Sequence, residues 1–165
     1  MIDLKEISIN KAHDSDFETL TEISFSAKRH WNYPENYFVI WKDELTITEE
    51  YINKNIVYKA LFLDTVLGFY SIVENENDFL TNEIFVKKGF WLEHIFIRPE
   101  FHKIGIGRVL IDHAKMISKC KGISNLLIFV DPFAKGFYDK IGAEFLYESN
   151  SSISERLIPI YVLKI

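Results

Sequence analysis

Apolar and polar positions along the chain change their period several times, and each change marks an element. Residues 7–11, ISINK, alternate as a short strand would. Between 14 and 30 the apolar Phe17, Leu20, Ile23 and Ala27 recur at helical spacing behind an Asp start signal. The pattern predicts a second short helix over 34–45, with Pro34 near its first turn. It predicts a third over 48–55, with Thr48 as N-cap. Two β-rich runs, IVYKALFL (56–63) and VLGFYSIV (66–73), flank Asp64-Thr65 at hairpin spacing. The more polar stretch 74–90 has room for an extra hairpin.

The second half reads as strand 91–97, helix 105–120 and strand 125–130, with Gly122 after the helix end. That is a βαβ unit, so its strands are expected to be parallel with a right-handed crossover. Asp131-Pro132 opens a short helix to about Lys140 and Gly142 stops it. Residues 143–149 and 156–165 are closing strands. This order predicts a mixed sheet with helices on both faces, in the α/β or α+β class, and a single domain over 1–165.

Composition narrows the function classes. Hydrophobic residues make up 48% of 165, enough for one sizeable core. Lys plus Arg is 19 against 24 Asp plus Glu, a net charge of -5, which argues against a nucleic-acid binder. A local basic cluster can still hold a small anion. The lone Cys120 excludes an internal disulfide and paired-Cys metal sites, and it is expected to be a buried or half-buried thiol. The five histidines show no ligand spacing, so no metal is expected. The start of the chain lacks an apolar signal region, and no apolar run reaches the roughly 20 residues of a membrane span. The expectation is a cytoplasmic protein that uses neither membrane nor nucleic acid. Aromatic-rich strands near the C-terminus are compatible with a homodimer.

The chemistry centres on RPEFHKIGIGRVL, 98–110, a glycine-containing turn between a strand and a helix. The first amides of a helix lack internal partners and its dipole favours an anion, so such a turn suits phosphate. The spacing does not fit G-x-G-x-x-G, because Leu110 stands where the third small residue belongs, and nothing fits G-x-x-x-x-G-K-[ST]. From these residues alone, an anion site and a plain tight turn are equally supported.

The wider run LEHIFIRPEFHKIGIGRVLIDHA (92–114), taken with DPFAKGFYDKIGAEF (131–145), resembles the GNAT superfamily of acetyl-CoA-dependent N-acetyltransferases. Ile97, Pro99, Gly105, Gly107, Ala134, Phe137, Tyr138 and Gly142 match its two-part motif. AKRHWNYPENYFVIWKDELTIT and RLIPIYVLKI are similar to one bacterial branch, which extends the resemblance over essentially the whole chain. Three positions depart from the pattern. His102 stands where Gln or Arg is usual, Lys103 where Gly is frequent, and Asp131 where Asn is frequent. A carboxylate cannot donate a hydrogen bond, so Asp131 reads better as an N-cap than as a cofactor contact.

The resemblance implies a GNAT fold whose central parallel strands splay apart. It implies acetyl-CoA as donor, CoA as product, and direct acetyl transfer to the primary amine of a small molecule or peptide. Pantetheine would pair as an added strand along Ile95, Phe96 and Ile97, with the pyrophosphate on Lys103, Ile104, Gly105, Ile106, Gly107 and Arg108. Asp131, Ala134 and Phe137 complete the implied cofactor set. Tyr138 matches the family's general acid, which protonates the leaving thiolate; as plain chemistry it is also a packed aromatic. Glu93 is the candidate base or ammonium binder, with a surface ion pair as the bland alternative, while His94 alternates to the opposite face and reads as a core residue. His30, Trp31 and Tyr33 are the acceptor candidates, with Arg156 and Tyr161 as further contributors and ordinary packing as the alternative. His13 and His113 read as surface residues. A GNAT-fold module that binds acyl-CoA without turnover is the competing reading.

Overall fold

A computed structural model describes residues 2–165. In chain order the elements are β1 (Ser8–Lys11), α1 (Phe17–Arg29), α2 (Glu35–Ile40), α3 (Lys42–Leu45), α4 (Glu49–Lys54), β2 (Ile56–Phe62) and β3 (Thr65–Asn75). They continue with β4 (Phe79–Thr81), β5 (Ile84–Val86), β6 (Gly89–Ile97), α5 (Ile106–Cys120), β7 (Asn125–Phe129), α6 (Lys135–Lys140), β8 (Glu144–Asn150) and β9 (Leu157–Lys164). The helix expected over 34–45 is broken at Trp41, which is buried and ends α2 as its C-cap. The hairpin turn falls on Leu63-Asp64, one residue earlier than expected, with Leu63 at φ 52°. Thr48 caps α4 as expected, its side chain accepting from Tyr51 N–H at 3.1 Å.

The chain divides into two compact units. One comprises residues up to Ile72 together with His94–Met116; the other comprises Val73–Glu93 and Ile117–Ile165. In the first, strands run in the order β1-β2-β3-β6, with β1/β2 and β2/β3 antiparallel. Its core joins Leu20 and Ile23 of α1 to Ile47, Ile52, Val57 and Phe69, all at most 3% exposed, so the helical stripe read from the sequence is the buried one. Lys59 and Asp16 form a half-buried ion pair at 2.7 Å beside it. Helix α5 buries Ile106, Leu110, Ile111 and Ala114 along one stripe.

In the second unit the order is β6-β7-β9-β8. Trp91 of β6 pairs in parallel with Leu127 of β7, and this is the one bridge of that ladder among the described residues. The remaining pairs, β7/β9 and β8/β9, are antiparallel. Trp91 stacks on Phe129 at 4.6 Å, in a core with Val86 and Ile160. The polar stretch after β3 does form a hairpin, β4/β5.

Candidate acyl-transfer site

In the first unit, β6 ends at Ile97 and the chain enters the glycine turn. Arg98 N–H donates to Leu67 O on β3 at 2.8 Å, and its side-chain Nε donates to Val66 O at 2.8 Å while Nη1 reaches Glu22 at 2.7 Å. Backbone groups alternate along a strand, so Ile95 and Ile97 aim theirs at the edge away from β3. Phe96 faces β3: a Cβ built on Gly68 would lie 2.5 Å from its carbonyl oxygen. Phe96 therefore offers this edge no backbone group, and its ring packs near Phe69 and His94.

Pro99–Phe101 make a single 3-10 turn, and the chain then turns with Lys103 at φ 65° and Gly105 at φ 104°. The first amides to regain carbonyl partners are those of Arg108 and Val109, both on Gly105 O, at 3.1 and 3.2 Å. Among the described residues the amides of 103–107 donate to no backbone carbonyl. A run of amides without backbone carbonyl partners that leads into a helix start is suited to cradle an anion. Lys103 and Ile104 are exposed there. Arg108 is also exposed but already paired with Asp112 at 3.1 Å, which moderates its charge. Leu4 packs over the turn, its Cδ1 2.9 Å from where a Gly105 Cβ would sit.

His102 closes this turn onto the strand, its Nε2 lying 2.9 Å from Ile97 O. A carbonyl only accepts, so Nε2 carries the proton. Burial, partly offset by that hydrogen bond, holds the imidazole below the usual histidine range. Its ring meets His30 edge-on at 4.8 Å and Trp31 at 6.2 Å. Two of the three acceptor candidates are thus gathered on the glycine turn. Tyr33 instead packs on Tyr37 and Trp41. Lys28 lies over the Tyr33 and Trp41 rings at 5.7 and 4.7 Å.

In the second unit Tyr138 is 5% exposed on α6, beside Phe137 at 5.3 Å. Burial, with the charge of Asp131 adding to it, pushes its phenol well above the usual tyrosine range. Asp131 caps the turn Pro132–Ala134 by accepting from Phe133 N–H at 3.0 Å, and its other oxygen lies 3.9 Å from Arg156. Ala134 is half-buried. Glu93 is exposed on β6.

Several expectations are corrected here. Tyr161 is 1% exposed and donates to Asp139 at 2.9 Å, so it braces α6 instead of facing an acceptor. Arg156 is engaged with Asp131. His113 is half-buried, its Nδ1 2.9 Å from the hydroxyl of buried Tyr70. Cys120 is exposed, because it falls on the solvent side of the α5 end. His94, 6% exposed, is the core histidine that alternation predicts.

The family model for the acetyltransferase (GNAT) family matches residues 10–143. The chain belongs to that family. This GNAT acetyltransferase is 25% identical to the spermidine N(1)-acetyltransferase of Thermoplasma acidophilum over 166 residues, 90% of each chain. Its fold matches that of a PaiA N-acetyltransferase from Thermoplasma acidophilum in complex with coenzyme A. The TM-score is 0.73 at 22% identity, covering 96% of this chain and 99% of that one. A GCN5-related N-acetyltransferase from Rhodopseudomonas palustris superposes with TM-score 0.75 at 14% identity, covering 100% and 99%. The architecture is thus the GNAT fold, a mixed α/β chain with a large mixed sheet.

The residues present in this acetyltransferase fit an anionic diphosphate. The cradle is built from backbone amides, and Gly105 holds a φ that L side chains rarely adopt. Sequence reasoning missed two participants. Gly68 lets β3 approach β6, and His102 drew notice only as a departure from the family pattern. Neither carries a clear local signal: Gly68 meets Phe96 on another strand, and His102, though it bonds the nearby Ile97, is held in place by His30 and Trp31 from far earlier in the chain.

Proposed function

We propose that this chain is a cytoplasmic, acetyl-CoA-dependent N-acetyltransferase, with 1–165 acting as one domain that acetylates the primary amine of a small molecule or peptide by direct transfer. The observation that carries the reading is the row of amides at 103–107 that, among the described residues, lack backbone carbonyl partners, in a member of this family. The N–H groups of 103–107 bind the pyrophosphate, with Lys103 and Arg108 as electrostatic helpers. Backbone groups of β6 hold the pantetheine arm, and Ala134 and Phe137 pack along it. Asp131 serves the site as a helix cap.

Acetyl-CoA supplies an activated acyl thioester. An alkyl ammonium has a pKa near ~10.4, so the acceptor must shed a proton before it can attack. Glu93 takes that proton or holds the ammonium while water does so. Tyr138 gives its phenolic proton to the departing thiolate; burial keeps the phenol protonated until then. His30 and Trp31 present an aromatic wall to a cationic amine, with Tyr33 beside them in the chain.

The test has two arms. Acetyl-CoA and CoA should raise the melting temperature, because each binds only the folded chain, while ATP and NAD should not. Thiol release is then followed over a panel of amines that includes polyamines, since one relative is a spermidine N(1)-acetyltransferase. Stabilisation by CoA without thiol release on any amine would replace the enzyme with an acyl-CoA-binding module. No stabilisation would remove both.

A further inference from the structure

Past the Trp91–Leu127 bridge, the side of β6 away from β3 offers backbone groups from Ile95 and Ile97, and one of them is already taken. His102 Nε2–H donates to the Ile97 carbonyl at 2.9 Å. The donor comes from the glycine turn itself, five residues on, and its ring is braced by His30 at 4.8 Å and Trp31 at 6.2 Å. We propose that His102 is a positioning residue that sets the register of the cofactor arm: by capping the Ile97 carbonyl it leaves Ile97 N–H and Ile95 C=O as the pair to which an added strand binds. This rests on the acetyl-CoA reading above.

Groups facing one edge of a strand repeat every second residue, so an uncapped Ile97 carbonyl would offer a competing register. That register is displaced by two residues, about 6–7 Å, which would shift the acyl end along β6 by the same distance. The cap removes the competitor and ties the end of β6 to the turn that seats the phosphates. Glu100, Lys103 and His30 are the titratable groups around the ring, and burial keeps the imidazole neutral near neutral pH. A neutral ring with its proton on Nε2 is the form the cap requires.

Calorimetry with two probes tests this. CoA carries the arm; its adenosine bisphosphate half lacks it. H102F keeps a ring against His30 and Trp31 but cannot donate, whereas H102Q keeps a donor. H102F should bind CoA roughly 3- to 10-fold more weakly, the scale of one neutral hydrogen bond. Its affinity for adenosine bisphosphate should stay within about twofold, and H102Q should recover most of the CoA affinity. Equal weakening of both probes would mean general loosening of the loop and would overturn the inference. So would unchanged CoA binding in H102F, or an H102Q as poor as H102F. A wild-type chain that melts cooperatively yet binds neither probe would remove the acetyl-CoA reading itself, a result distinct from the others.

Discussion

Gly105→Val perturbs the cradle at its most constrained point. Gly105 sits at φ 104°, where a β-branched residue is strained by about 1–3 kcal/mol. The new Cβ would also meet Leu4 Cδ1 at 2.9 Å, but that atom is the far end of a flexible, partly exposed side chain and can swing away. The cheaper escape from the dihedral strain is for the turn to flip to negative φ, which redirects the amides around it. A hydrogen bond from an amide to a charged oxygen contributes about 1.5–3 kcal/mol. Losing two of them weakens CoA binding by about 100-fold or more. Lys103→Ala removes only an exposed charge, about 0–1 kcal/mol, or at most about fivefold. Calorimetry with CoA on both variants, with urea denaturation as the folding control, measures the contrast. A cooperatively folding Gly105→Val that binds CoA about as well as Lys103→Ala would refute the cradle. Recovery of binding in the double variant Leu4→Ala/Gly105→Val would refute the dihedral argument, because it would make the Leu4 contact the cause.

Three further outcomes are expected. Tyr138→Phe should lower kcat by about 100-fold or more while changing KM little, and an unchanged turnover removes the proton-donor role. Gly68→Ala should destabilise the chain by about 1–3 kcal/mol in urea, since its Cβ would sit 2.5 Å from Phe96 O, a backbone atom that cannot move aside; a neutral effect would show that β3 and β6 are free to part. Burial lowers the pKa of both His102 and His113, so on acidification the unfolded chain takes up protons first. Their contribution to stability is full above about pH 6.5 and is lost as pH falls through the folded values. The urea midpoint should therefore drop between about pH 7.5 and about pH 5.5, and a rise over that window would contradict the sign.

Much of the fold was legible because its signals are local. Phe17, Leu20, Ile23 and Ala27 recur at helical spacing, and Thr48 and Asp131 cap through atoms a few residues away. Periodicity could not show that Trp41 would be buried and interrupt 34–45, nor that Tyr161 would spend its hydroxyl on Asp139. The polar role of His113 needed Tyr70, 43 residues earlier.

For the site the division is similar. By itself the sequence determined the glycine turn, its place between strand and helix, and the family motif that names its ligand class. Those properties are carried by backbone conformation and by spacing along the chain. Only the tertiary structure decided that Phe96 faces β3, that Arg156 is engaged with Asp131, and that His102 caps Ile97 under His30 and Trp31. Each of those outcomes depends on which strand edge or ring arrives from a distant segment, and no short-range pattern records that arrival.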